Sequence, residues 1–315
     1  MESMAQFIHY TTIASVVSIN ALSASIGESL TGVAALEGIN RQPSAHGELT
    51  KLATLGIALI DTTNIMGLSM ALILLFDSPE HITIYSAIAE LGILLALCLP
   101  GLCIGIVSAF PAQAACVATA RQPFFAQKIL RFMLITQSLI QTPILFGFLI
   151  AYIIKANIAS VTTYAEGIQY IASGLCIGLG TIGPSIGMAQ FAKIACDSIG
   201  LNRKTYNQIF SFTFISEAII EAPIIFSVII SVLIATQTVG DNMPVALSLL
   251  SAALCIGLGT FGPGISSGYT AATACRNIAL YPAHYHAISR MSIIAQGLID
   301  TGAIFALIIA IFCIV

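Results

Sequence analysis

Three carboxylic acids, Asp61, Glu221 and Asp300, sit inside long apolar runs, and Gln141 holds the matching place in a fourth. The surrounding stretches read LIDTTNIM, LIQTPILF, IIEAPIIF and LIDTGAIF, and the key positions are 80, 80 and 79 residues apart. A charged side chain at the centre of a bilayer costs at least roughly 2.5–3.5 kcal/mol, so such positions need a chemical reason. Burial in a low dielectric favours the neutral form of an acid. A carboxyl placed there holds a proton in lipid and releases it only where water or a positive partner is available. It is a reversible carrier. The plainer alternative, a carboxyl hydrogen-bonded permanently between helices, suits one isolated acid better than three in register. Glu217, one turn before Glu221, matches Gln137 and Gln296 and reads as polar support, not as a carrier.

The elements that must position these acids are membrane helices. The chain has 315 residues, 57% hydrophobic and only 8% charged, with mean hydropathy +0.97. A soluble domain carries about 25% charged residues, so this chain cannot cover a water-facing surface. Apolar runs long enough to cross a bilayer are expected near 8–39, 47–76, 83–118, 126–155, 164–198, 206–236, 244–278 and 284–315. The expected class is an all-α membrane protein of eight transmembrane helices.

Those helices fall into four tandem hairpins. INRQPSA at 39 matches TARQPFF at 119, Pro282 falls on Pro43, and CIGLGTIGPSIG at 176 matches CIGLGTFGPGIS at 255. The hairpins span 1–78 with Asp61, 79–157 with Gln141, 158–238 with Glu221 and 239–315 with Asp300. Internal repetition of this kind sets the architecture.

Charge sets the orientation. Arg41, Lys51, Arg121, Lys128, Arg131, Lys193, Arg203, Lys204, Arg276 and Arg290 lie in or beside the loops within hairpins, and only Lys155 lies at the other end. Glu2, Asp77, Glu80 and Asp241 mark that opposite side. The positive-inside rule then puts the hairpin loops in the cytoplasm and both termini outside. No Lys or Arg precedes the first apolar run, so neither a secretory signal nor a mitochondrial presequence is expected. The eight cysteines show no metal-type spacing and read as small packing residues. No Ser/His/Asp set, phosphate loop or metal cluster appears, so neither a catalytic site nor a bound metal or cofactor is expected, and no nucleic-acid partner.

Within each hairpin the two helices differ. The first is rich in small residues: Ser23, Ser25, Gly27, Ser29 and Gly32 in one copy, Gly174, Gly178, Gly180, Gly183 and Gly187 in another. Such residues let helix backbones approach closely in lipid, in a plain bundle or as the inner layer of a concentric ring; the spacing leaves both open. The second helix is bulkier and carries the acid. Asp61 lies about 14 residues beyond the loop at Ala45–Gly47, roughly 20 Å at 1.5 Å per residue, which is mid-membrane. Glu28, 33 positions before Asp61 on the antiparallel helix, comes out within about a turn of the same depth. Its equivalents are Ser108, Met188 and Ser267.

The neighbours of each acid bear on the ion. Sodium needs several oxygen ligands in a preformed cage, whereas a proton needs little beyond the carboxyl. Glu28, Asp61, Thr62 and Thr63 form an oxygen-rich set, and Thr301 follows Asp300, but Glu221 is followed by Ala222 and Pro223 and faces the Met188 position. Since the repeated sites of one assembly must carry the same ion, the poorest site argues for protons.

These residues resemble the proteolipid, or c subunit, of rotary ATP synthases. The stretch SIGESLTGVAALEGINRQPSAHGELTKLATLGIALIDTTNIMGLSMALILLF resembles one hairpin of that family along its length, and GPGISSGYTAATACRNIALYP resembles the family's inner helix. Pro263 and Pro184, each 37 positions before an acid, have no counterpart in the first copy. The resemblance covers essentially the whole chain and is most specific in the first, third and fourth copies.

The resemblance implies a ring of hairpins whose acids take up an ion through one half-channel of the stator a subunit and release it through the other. It implies that Arg41, Gln42, Pro43, Arg121, Gln122 and Pro123 contact central-stalk subunits, and that Glu28, Thr62 and Thr301 support the ion site. It implies a lipid-embedded protein of the bacterial inner membrane. Gln141 cannot release a proton, so the second hairpin is a silent spacer, and a ring built only of this chain holds three carriers per four hairpins. Four fused hairpins and a lost acid also fit a V/A-type proteolipid, while the RQP loops favour the F-type. A sodium-carrying ring is a further alternative, as is a secondary transporter or channel using the acids as a relay.

Overall fold

The computed structural model describes residues 2–77 and 82–315; Glu80 and the boundary expected between 78 and 79 lie outside the described residues. The helices are α1 (Glu2–Arg41), α2 (His46–Ile60), α3 (Thr62–Phe76), α4 (Ile84–Val107), α5 (Ala109–Arg121), α6 (Ala126–Asn157), α7 (Tyr164–Leu201), α8 (Tyr206–Thr236), α9 (Met243–Gly259), α10 (Phe261–Leu280), α11 (Tyr285–Ile299) and α12 (Thr301–Ile314). Joined end to end at Asp61, Ser108, Thr260 and Asp300, they make eight spans long and apolar enough to cross a membrane. Helix is what lipid demands, because each backbone polar group must find its partner within the segment.

The four loops within hairpins share one construction. The first helix closes with Gln42, Gln122, Asn202 or Tyr281 donating its N–H to the carbonyl four residues back. A single 3₁₀ turn follows, Pro43–Ala45, Pro123–Phe125, Arg203–Thr205 and Pro282–His284. Proline suits the first position of such a turn because its fixed φ is already helical. At the other end Thr163 and Glu166 cap α7 reciprocally, and Thr83 caps α4.

The spans form two layers. Inner helices stack in chain order, α1 against α4 and α5, these against α7, and α7 against α9 and α10. Outer helices lie in the grooves of that layer: α6 rests on α4, α5 and α7, and α8 on α7, α9 and α10. The inner layer is tight because its residues are small. A Cβ added at Gly27 would overlap the carbonyl oxygen of Gly105, and one at Gly187 would overlap that of Gly264. The small-residue helices thus form one layer and the acid-bearing helices another.

The arc has two open edges. The central stretch of the last span is only 11% buried, against 44% for each of the α6 and α8 spans. The first inner span is 28% buried, and the third 72%. A buried pair fastens the first two hairpins near the end opposite the hairpin loops: His9 Nδ1 lies 2.8 Å from both carboxylate oxygens of Glu90, each residue 2% exposed. Lys155, the one Lys or Arg at this end among the described residues, pairs with Asp77 at 3.2 Å.

Candidate functional site

Each acid position falls at a flaw in an outer helix. Asp61 and Asp300 are the joints between α2 and α3 and between α11 and α12, with ψ of −15° and −12°, short of the helical value near −42°. In α6 and α8 a proline, Pro143 or Pro223, stands two positions after Gln141 or Glu221 and deletes a backbone donor. Mid-helix departures of this kind recur at functional hinges.

Asp300 is 8% exposed, and Ser267 Oγ donates to its Oδ1 at 3.1 Å. It also lines an open apolar groove between outer helices with Ala218, Ala222, Phe226, Gly297 and Ile304. The carboxyl is thus held by the inner helix and lines an open groove on its other side. Asp61 is half-buried and accepts a 2.9 Å hydrogen bond from Asn64 Nδ2. Glu28, on α1, is near enough to sense the charge of Asp61. Glu221 is half-buried; Met188 is wholly buried. Gln141 is buried, accepts a 3.4 Å bond from Thr63 Oγ1 of the preceding hairpin, and leaves its Nε2 without a partner among the described residues.

One turn toward the hairpin loops runs a polar belt. Gln137 Nε2 donates to the Gly56 carbonyl at 2.9 Å, and Gln296 Nε2 to Ser216 Oγ at 3.2 Å. Each amide ties its outer helix to the one before. Glu217 occupies the same level.

The structure brings together some expected partners and not others. Ser267 meets Asp300, and Glu28 approaches Asp61. Thr301 Oγ1 instead donates to the Leu298 carbonyl at 2.7 Å, turned back on its own helix. Thr62 is half-buried, while Thr63 beside it is fully buried. In the loops, Arg41 lies 3.4 Å from its own Glu37, and Arg121 pairs with Asp197 of the next hairpin at 2.6 Å. Gln122 Nε2 reaches the Gly200 carbonyl at 2.7 Å, and Asn202 Nδ2 the Ala279 carbonyl at 2.9 Å. Pro43 is exposed and Pro123 half-exposed, with Phe124 wholly exposed beside it. Sequence reasoning missed Asn64; a polar residue one helical turn after the acid was the signal.

Fold and site define a membrane protein of repeated helical hairpins with a carboxyl at the middle of three outer helices. The sequence profile of the ATP synthase c subunit matches residues 12–74, 171–234 and 250–313. The chain therefore belongs to the ATP synthase c-subunit family. The matched segments contain Asp61, Glu221 and Asp300 and omit the stretch around Gln141. Among similar proteins, the ATP synthase c subunit of Chloroflexus aurantiacus is 38% identical over 69 residues, which make up 91% of that protein and 22% of this chain. A Cereibacter sphaeroides protein, the c subunit numbered 2 of an ATP synthase, is 43% identical over 63 residues, 76% of its length and 20% of this chain. The ATP synthase c subunit of Desulfosudis oleivorans is 37% identical over 76 residues, 79% of its length and 24% of this chain.

Proposed function

We propose that this chain is the rotor subunit of an F-type ATP synthase and carries protons across the membrane on Asp61, Glu221 and Asp300. The observation that carries the reading is the coincidence of each family match with one mid-span acid. Each hairpin, 1–78, 79–157, 158–238 and 239–315, is one unit of the rotor, and the second is silent because Gln141 is an amide. Lipid shields each acid until a stator a subunit offers it water and a charge partner.

Protons are favoured over sodium by Glu221. Among the described residues no side-chain hydrogen bond reaches it, and Met188 stands where another copy has Glu28, so a cage of oxygens is lacking there. The Glu28–Asp61 pair is the one feature that leans toward sodium, and a rotor works on one ion. The F-type is favoured by the RQP turns and by relatives named as ATP synthase c subunits. The hairpin loops face the cytoplasm of a bacterial inner membrane and present Arg41, Gln42, Pro43, Arg121, Gln122 and Pro123 to the central stalk. The two open edges of the arc support closure by further copies, the last outer span docking against the first inner helix of a neighbour. Glu28, Thr62 and Thr301 are supporting groups at the first and fourth sites.

Carbodiimide labelling of the membrane-embedded protein, read by mass spectrometry, tests this. Adducts are expected on Asp61, Glu221 and Asp300, with no protection of Glu221 by sodium. Absence of adducts at all three, or equal labelling of water-exposed acids only, contradicts the carrier reading.

A further inference from the structure

Glu217 is 1% exposed, and among the described residues neither of its carboxylate oxygens has a hydrogen-bond partner. Glu221 on its own helix, Cys196 on α7 and Cys275 on α10 are near enough to sense its charge. Among the described residues no Lys, Arg or His forms an ion pair with it. An ionised carboxylate in that place has no counter-ion and no donor, and burial of such a charge is strongly disfavoured. Its inward placement also keeps it from the lipid-facing surface that a stator would meet.

The repeat shows what the position is for. Gln137 and Gln296 are its equivalents, and each donates an amide N–H to the outer helix before it, at Gly56 and Ser216. The repeat position of Gly56 and Ser216 on the preceding outer helix is held by Thr136 of α6. Thr136 Oγ1 is buried, and its one hydrogen is shared between the carbonyls of Phe132 and Met133 at 3.1 Å each. With its hydrogen on a carbonyl of its own helix, the hydroxyl keeps lone pairs that can accept from a protonated acid.

We propose that Glu217 is a further proton-binding site, one that keeps its proton throughout the cycle and acts as a neutral counterpart of the two amides, with Thr136 as its acceptor. The third hairpin thus holds two acids one turn apart with opposite tasks: Glu221 exchanges its proton and Glu217 retains its own. The chain carries one stationary proton, and at the level of the polar belt the tie between α6 and α8 depends on it. The exchange at Glu221 rests on the carrier reading above; the retention at Glu217 does not.

Infrared spectroscopy of the assembled protein, with the difference taken between parent and Glu217→Gln, reads this site whether or not Glu221 carries an ion. The expected result is a carbonyl stretch of a protonated acid, lost in Glu217→Gln, that persists at about pH 9, where a water-exposed glutamate is fully ionised. Thr136→Val should move that band to higher frequency, the signature of a lost acceptor. Glu217→Gln should also keep ATP-driven ion transport within about twofold of the parent, since an amide serves the same position twice elsewhere. A carboxylate band at neutral pH, no response to Thr136→Val, or loss of transport in Glu217→Gln would each overturn the proposal. Loss of transport in Glu221→Gln with an unchanged Glu217 band separates the two acids.

Discussion

Ser267 Oγ donates to Asp300 Oδ1 across two antiparallel helices, 33 positions apart in the chain. That is the offset that relates Glu28 to Asp61, so one register governs the inner support and the outer acid in both end hairpins. A serine stands where the first hairpin has a second carboxyl, and the acid stays tethered on its inner side while its outer side lines an open apolar groove.

Removing the tether frees the carboxyl to turn into that groove. Ser267→Ala should speed carbodiimide modification of Asp300 by about five- to tenfold, for a bond worth about 1–1.4 kcal/mol. The rate at Glu221 should not change. Site-resolved labelling kinetics measure both in one sample.

Gln141 is placed like the acids, at a proline-marked flaw in its helix and against Thr63 of the preceding hairpin. Gln141→Glu should therefore convert the spacer into a fourth carrier. The measured ions per ATP should rise by about one third, since carriers go from three to four per chain, and a fourth carbodiimide adduct should appear at that position. The Nε2 of Gln141 has no partner among the described residues, so replacing the amide breaks no bond that they make.

The His9–Glu90 pair should matter more than any exposed ion pair. His9→Ala leaves a buried carboxylate without its partner, a loss of about 3–5 kcal/mol. The temperature at which the protein dissociates in detergent should fall accordingly. The double variant His9→Ala, Glu90→Gln should recover most of it, because the uncompensated charge is gone. By contrast, Arg41→Ala, whose partner Glu37 is exposed, should cost less than about 1 kcal/mol.

Close approach of inner helices should not tolerate side chains. Gly187→Val drives a branched side chain into the backbone at Gly264 and should cost at least about 1–3 kcal/mol from overpacking. Gly47→Ala, at a glycine with open space around its missing Cβ, is the control and should be neutral or slightly stabilising. Thermal dissociation again reports the difference.

Much of this was legible because it is periodic. Eight apolar runs, four copies and the depth of the acids follow from spacing alone, and the 33-residue offset anticipates the meeting of Ser267 with Asp300. What spacing could not give is the side of a helix that faces a neighbour. Thr301 adjoins its acid in sequence, yet its hydroxyl bonds backwards to Leu298, because a helical hydroxyl has a carbonyl of its own helix in reach. Thr63 faces the next hairpin, and Asn64 reaches Asp61 around one turn. The joints at Asp61 and Asp300 carry no proline to announce them, unlike those after Gln141 and Glu221. His9 and Glu90 lie in different hairpins, and nothing local in either stretch points to the other.

The central claim is that Asp61, Glu221 and Asp300 load and unload the transported ion. ATP-driven acidification of vesicles containing the complete synthase with the triple variant Asp61→Asn, Glu221→Gln, Asp300→Asn tests it most directly. The account predicts an assembled complex with no ion uptake. Uptake at the parent rate from a complex lacking all three acids would contradict it.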